Sequence, residues 1–244
     1  LFVVKGGSRL HLSDMTLAHG NANADGGAIH TESSTVSLSG SISFVFNSAG
    51  SHGGAIFASG STVSWSDDGI VFSNNSAGYG GGAIYSRNAA VSWDGDGAKF
   101  SNNYAGVYGG AIWSSNTTVS WVGDGTAFSN NSAGSTGGAI NSEDSNLSWH
   151  GDGTEFSNNS AGFIAGAIML MDAAASWHGD GTEFSRNSAS NAGGAFAMYA
   201  GTDHEPATFS RCIFTDNIAI GAGGAVVTMS GQQEFTFCDF EGNS

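Results

Sequence analysis

A phenylalanine that returns about every 28 residues constrains what this chain can become. It stands at Phe44, Phe72, Phe100, Phe128, Phe156, Phe184, Phe214 and Phe240, with Leu17 in the same role, and the steps are 27, 28, 28, 28, 28, 28, 30 and 26 residues. Nine residues after each of the first eight of these positions comes a Gly-Gly-Ala-apolar group. These groups begin at Gly26, Gly53, Gly81, Gly109, Gly137, Ala165, Gly193 and Gly223. A fixed period of this length marks a solenoid, in which each unit covers the apolar face of its neighbour and none is stable alone. The 244 residues therefore read as one elongated body, residues 1–244, whose length scales with the number of repeats.

Within one repeat the apolar residues alternate over short runs, as in Val91 and Trp93, and do not recur at the three- and four-residue spacing of a helix. Three short strands per unit are expected, separated by turns. Two columns of equivalent residues are uniformly bulky. One is Ile29, Ile56, Ile84, Ile112, Ile140, Ile168, Phe196 and Val226; the other is Leu38, Trp65, Trp93, Trp121, Trp149, Trp177, Phe209 and Phe235. Both face inward with the phenylalanines. The position after Ile84 varies freely (His30, Phe57, Tyr85, Trp113, Asn141, Met169, Ala197, Val227) and so reads as an outward face. The fold expected is all-β: a right-handed parallel β-helix of about 28 residues per coil, three strands per coil and eight to nine coils.

The turns are specified as well. Asparagine follows each phenylalanine by three residues, at Asn47, Asn75, Asn103, Asn131, Asn159, Asn187, Asn217 and Asn243. An amide both donates and accepts, so a stack of asparagines can satisfy inward-curving backbone. An alanine column, Ala49 to Ala219, comes next and suits a tight corner.

Six Lys plus Arg against 21 Asp plus Glu give a formal charge of −15, which repels nucleic-acid phosphates and anionic membranes. No run of eighteen apolar residues is present, so no transmembrane helix and no direct membrane insertion are expected. The pattern at both ends breaks off within a unit, so a segment of a longer protein is expected. Few lysines, two cysteines and many Ser, Thr and Asn point to an extracellular surface. Asn-X-Ser/Thr acceptors for glycosylation stand at Asn74, Asn116, Asn130, Asn146 and Asn158.

Phe-x-x-Asn paired with Gly-Gly-Ala-Ile/Val, in eight copies from Leu17 to Asn243, resembles the passenger repeats of the Chlamydia-type polymorphic outer membrane proteins. The resemblance implies a secreted, autotransporter-like surface adhesin with a right-handed β-helical passenger and a separate membrane barrel. The Ser-Trp-x-Gly-Asp-Gly segment and the regular period depart from that family's looser pattern.

Candidate chemistry is sparse. Asp68, Asp96, Asp124, Asp152 and Asp180 set one carboxylate on each coil, inviting comparison with calcium-binding β-rolls, yet Asp-Gly is itself a favoured turn pair and calcium wants a denser oxygen set. His150 and His178 fall in register and read as solvated turn residues. No metal site and no cofactor are expected. Cys212 and Cys238 also match in register, as a possible disulfide or as two free thiols. Asp203, His204 and Glu205 sit in the one long connection, the only place that suggests a polysaccharide lyase or hydrolase.

The outward positions suggest binding instead of catalysis. Phe57, Tyr85 and Trp113, flanked by Arg87, should form an exposed aromatic stripe able to stack on sugars or dock a partner. The pairs Thr35 and Ser37, Thr62 and Ser64, and Thr118 and Ser120 form a hydroxyl array of the kind found on ice-binding solenoids, interrupted at Ala90, Asn146, Ala174 and Pro206. The function expected is a rigid extracellular stalk, adhesin or filament subunit, with other copies of itself, other surface proteins or glycans as partners. A polysaccharide-active enzyme and an ice-binding solenoid are the competing readings.

Overall fold

The computed structural model describes residues 2–200 and 207–244. Every strand pairs in parallel with the strand one repeat away, and each such pair is joined by a crossover that passes through the other sheets. One coil shows the plan: Ile84–Arg87 belongs to sheet A, Ala90–Trp93 to sheet B, Lys99–Ser101 to sheet C and Tyr104–Ala105 to sheet D. Sheets A, B and C have nine strands each and sheet D has eight. At ~4.8 Å per strand the sheets run on the order of 40 Å.

The expected three strands per coil are thus corrected to four. Sheet D is built from two-residue strands such as Ser76–Ala77, which pair with Ser48–Ala49 and with Tyr104–Ala105. A run of two residues is too short for alternation to declare it. Its alanine column reads as corner packing, whereas those alanines are the inward residues of a real ladder.

Like residues lie on like residues. Phe72 is in register with Phe44 and Phe100, and Trp93 with Trp65 and Trp121. The phenylalanine rings stack face to face, 4.7 Å and 1° apart for Phe44 on Phe72 and 4.7 Å and 6° for Phe100 on Phe128. The indoles stack likewise as far as Trp149, where Trp177 turns to 73°. That turn comes where Ala175 replaces the Val or Leu of earlier coils and Phe196 replaces Ile. Each such side chain contributes ~1.5–3 kcal/mol on burial.

The indole N–H groups of Trp93, Trp121 and Trp149 donate to the hydroxyls of Thr126, Thr154 and Thr182 on the next coil, at 3.2–3.4 Å. Trp65 and Trp177 have buried indole N–H groups without a partner. The position that threonine would occupy is Ala98 for the first and Cys212 for the second.

The asparagine column closes the inner corner. Asn103 donates from its backbone N–H and from Nδ2 to Asn131 Oδ1, at 3.1 and 3.0 Å, and Asn131 repeats both bonds onto Asn159. Each Nδ2 also donates to the carbonyl of the preceding coil's core residue, as Asn131 does to Phe100 at 2.9 Å. The six asparagines from Asn47 to Asn187 and Asn217 are fully buried or nearly so. At the opposite corner the first residue of each group is left-handed, a glycine in every case but Ala165; Gly81 has φ +65°, and a Cβ there would stand 2.3 Å from the Ile84 carbonyl oxygen.

Candidate functional site

The outward aromatics of sheet A do stack along the coils, but they are not exposed. Phe57, Tyr85 and Trp113 retain only 7%, 6% and 8% of their surface, and Arg87 alone of that group faces solvent. The reason lies just before each glycine corner. His52, Gly80, Tyr108, Thr136, Ile164, Ala192 and Ala222 bridge to one another outside sheet A and lie over its outer face. The ring of Trp113 lies within 5.5 Å, centroid to centroid, of His52, Tyr85 and Tyr108.

This flange makes a second, external core whose members are matched by residue type. Thr136 Oγ1 donates to Asn141 Oδ1 at 2.7 Å, Ile164 clusters with Met169, and Ala192 with Ala197. Gly80 is small because Trp113 is large: a Cβ on Gly80 would stand 2.1 Å from the indole Cε3. The signal was present in the sequence as pairs five residues apart, clearest at Thr136 and Asn141, Ile164 and Met169, and Ala192 and Ala197. It is hidden by the glycine pair between them. Burial under the flange raises the pKa of Tyr85 and of Tyr108. Glu143 is raised too, first by desolvation and then by Asp144 and Asp172.

At the first coils, the flange carries polar ties. Asp25 Oδ1 accepts from the backbone N–H of His52 and lies 3.0 Å from its Nδ1, while Glu32 meets His30 at 2.7 Å and Lys5 at 3.1 Å. His30 and Lys5 hold the Glu32 carboxyl below its ordinary range.

Sheet B presents the hydroxyl array. The serines Ser37, Ser64, Ser92, Ser120, Ser148 and Ser176 are half-buried in an unbroken column, beside the exposed Thr62 and Thr118. A shallow trough of about 460 Å³ runs over the first four of them. The aspartate row is a backbone device. Asp96 N–H donates to Asp68 Oδ1 at 2.9 Å, the bond repeats through Asp124, Asp152 and Asp180 at 2.7–2.8 Å, and Arg211 closes the row on Asp180. One carboxylate oxygen per coil is already committed to an amide.

His150 and His178 are exposed, with ring centroids 4.7 Å apart. Cys212 and Cys238 are free thiols, with Cys238 Sγ accepting from the Cys212 N–H at 3.4 Å. The two cysteines stand in register just before the paired strands Ile213–Thr215 and Asp239–Glu241, and burial raises the Cys212 thiol well above its ordinary range. The acceptors Asn74, Asn116, Asn130, Asn146 and Asn158 are all exposed. Asp203, His204 and Glu205 lie outside the described residues.

Among the described residues, one stretch of open aromatic and aliphatic surface lies on the sheet D side. Tyr79, Tyr104 and Phe163 are 42%, 51% and 50% exposed, and Ile218 and Ile220 are 50% and 81%. Sequence reasoning passed over them because they fall singly among small or variable residues, as Tyr104 does between Ser76 and Ser132 and Phe163 between Ser135 and Asn191.

The repeat of the Chlamydia polymorphic membrane protein family matches residues 69–87, 97–115 and 125–143. Each stretch spans one Phe-x-x-Asn and one Gly-Gly-Ala-Ile group. Over these three stretches the chain is similar to polymorphic membrane protein repeats. No curated protein and no solved structure matches the chain. The geometry explains why a polymorphic membrane protein repeat needs both tetrapeptides. Phe-x-x-Asn supplies one stacked ring and one rung of the amide ladder, and Gly-Gly-Ala-Ile supplies the left-handed corner and the core residue that follows it.

Proposed function

We propose that this chain is the repetitive, surface-exposed part of a cell-surface protein, a stiff β-helical rod that holds binding or assembly faces away from the cell. The observation that carries the reading is the recurring register: four sheets whose inward residues repeat in type coil on coil. Repetition of that kind builds length and identical faces, and stability is shared between neighbouring coils. The polymorphic membrane protein repeats support an outer-membrane or surface location, and the acidic, lysine-poor surface suits an extracellular setting. Adhesion or filament formation follows as the use of such a rod, through its outer faces.

The test is made on intact cells that produce the protein. Antibody labelling and proteinase K digestion should reach the coils without permeabilisation. Protection of every epitope until the cells are lysed would refute the reading.

A further inference from the structure

The sheet D side holds a groove of about 500 Å³ that the reading above does not use. Its floor is the hydroxyl column Ser132, Ser160 and Ser188, with Ser160 Oγ donating to Ser132 Oγ at 3.1 Å. Register places Tyr104 one coil before Ser132 and Ile218 one coil after Ser188, so two bulky, half-exposed residues close the ends of a run of small ones. Ile220 lines the groove at the far end, and Phe163, half exposed, follows the groove-lining Gly162 along one side.

The lining is wholly uncharged in a chain of formal charge −15. A cationic ligand would find no carboxylate there, and a polyanion would be repelled by the rest of the surface. The strands beneath are paired on both sides, so an extended peptide finds no free backbone to join. What remains on offer is a column of hydroxyls, one per coil, of which Ser132 and Ser160 are hydrogen-bonded to each other, and the faces of an aromatic ring, a phenol and two isoleucines. Sugar rings have the complementary chemistry, with C–H faces that stack on aromatic and aliphatic groups and hydroxyl edges that exchange hydrogen bonds.

We infer that this groove binds a neutral oligosaccharide lying along the coil axis across Ser132, Ser160 and Ser188, between Tyr104 and Ile218. The inference rests on reading the outer faces as binding surfaces, and it is tested in solution, independently of where the protein resides in the cell.

The experiment is isothermal titration of the whole chain with neutral hexasaccharides (cello-, xylo-, manno- and chito-oligomers), with hexagalacturonate and a neutral apolar peptide as controls. The variant combines Tyr104→Ser, Phe163→Ser and Ile218→Ser, each already the residue of other coils at the same position, so the fold tolerates it. The expected result is binding of at least one neutral oligomer and no binding of the controls. The triple variant should weaken that binding at least tenfold while keeping the parent's urea midpoint. No neutral oligomer bound, undiminished binding by the variant, or occupation of the groove by the peptide or by a second copy of the chain would each overturn the inference. Binding that survives in the variant would move the glycan site to another face and leave the scaffold reading intact.

Discussion

Replacing Asn131 by alanine breaks the amide ladder at its middle. The change removes Oδ1, which accepts from both the backbone N–H and the Nδ2 of Asn103, and removes the Nδ2 that donates to the Phe100 carbonyl and to Asn159 Oδ1. Asn159 Oδ1 keeps the Asn131 backbone N–H as a donor. Two N–H protons of Asn103 lose their acceptor in a site only 1% exposed: the backbone N–H is left with none, and Nδ2 keeps only its bond to the Phe72 carbonyl. At about 1–3 kcal/mol per orphaned buried group the expected loss is about 2–6 kcal/mol.

Equilibrium urea unfolding followed by tryptophan fluorescence reads the total, and amide exchange at Asn103 reads the local opening. Asn243→Ala, at the half-buried end of the ladder, should cost clearly less. Asn131→Asp supplies the same acceptor but sets an oxygen against the Phe100 carbonyl and Asn159 Oδ1. Its folded-state pKa is therefore raised. That variant should be most stable below the ordinary aspartate range (~3.9) and lose stability as pH rises toward the folded value. An Asn131→Ala loss below about 1 kcal/mol, or an aspartate variant indifferent to pH, would refute the ladder's role.

Three further outcomes follow from particular contacts. Ala98→Thr should give the buried Trp65 indole N–H its missing acceptor and raise stability by about 0.5–1.5 kcal/mol, while Thr154→Ala should orphan Trp121 and lower it by about 1–3 kcal/mol; matched urea midpoints check both. Gly80→Ala should destabilise by about 1–3 kcal/mol through overlap with Trp113, and in a Trp113→Ala background most of that penalty should vanish, as a double-mutant cycle measures. Glu143 has a raised folded pKa, so its contribution is fully present below the unfolded carboxylate value and is lost as pH rises through the folded one. Glu143→Gln should accordingly gain on the parent at neutral pH and not at pH 4, in parallel denaturation series.

The columns that could be read from the chain were those where one residue type has one job on every coil. Phe72, Asn75, Gly81 and Ile84 recur because ring stacking, the amide ladder, the left-handed corner and the core each admit few substitutes. The fourth sheet escaped because Ser76–Ala77 is too short to alternate. The outer face of sheet A misled for a different reason. Phe57, Tyr85 and Trp113 vary as exposed residues do, but they pack on one another and, for Tyr85 and Trp113, on the flange residue His52, with Tyr108 packed on the same cluster. A pattern that follows repeats sees columns well and cross-corner pairs poorly. Cys212 and Cys238 show a further limit: their register is visible in the sequence, whereas the choice between a bridge and two free thiols is not.

Stacking itself is tested most directly by distances between equivalent outward positions of sheet C. Ser43, Glu155, Ile213 and Asp239 stand in one register column, four, six and seven coils apart from the first. Spin labels placed in pairs with Ser43 should report separations of about 19, 29 and 34 Å, rising by ~4.8 Å for every coil. Separations that do not grow in proportion to the number of coils would contradict the solenoid and everything derived from it.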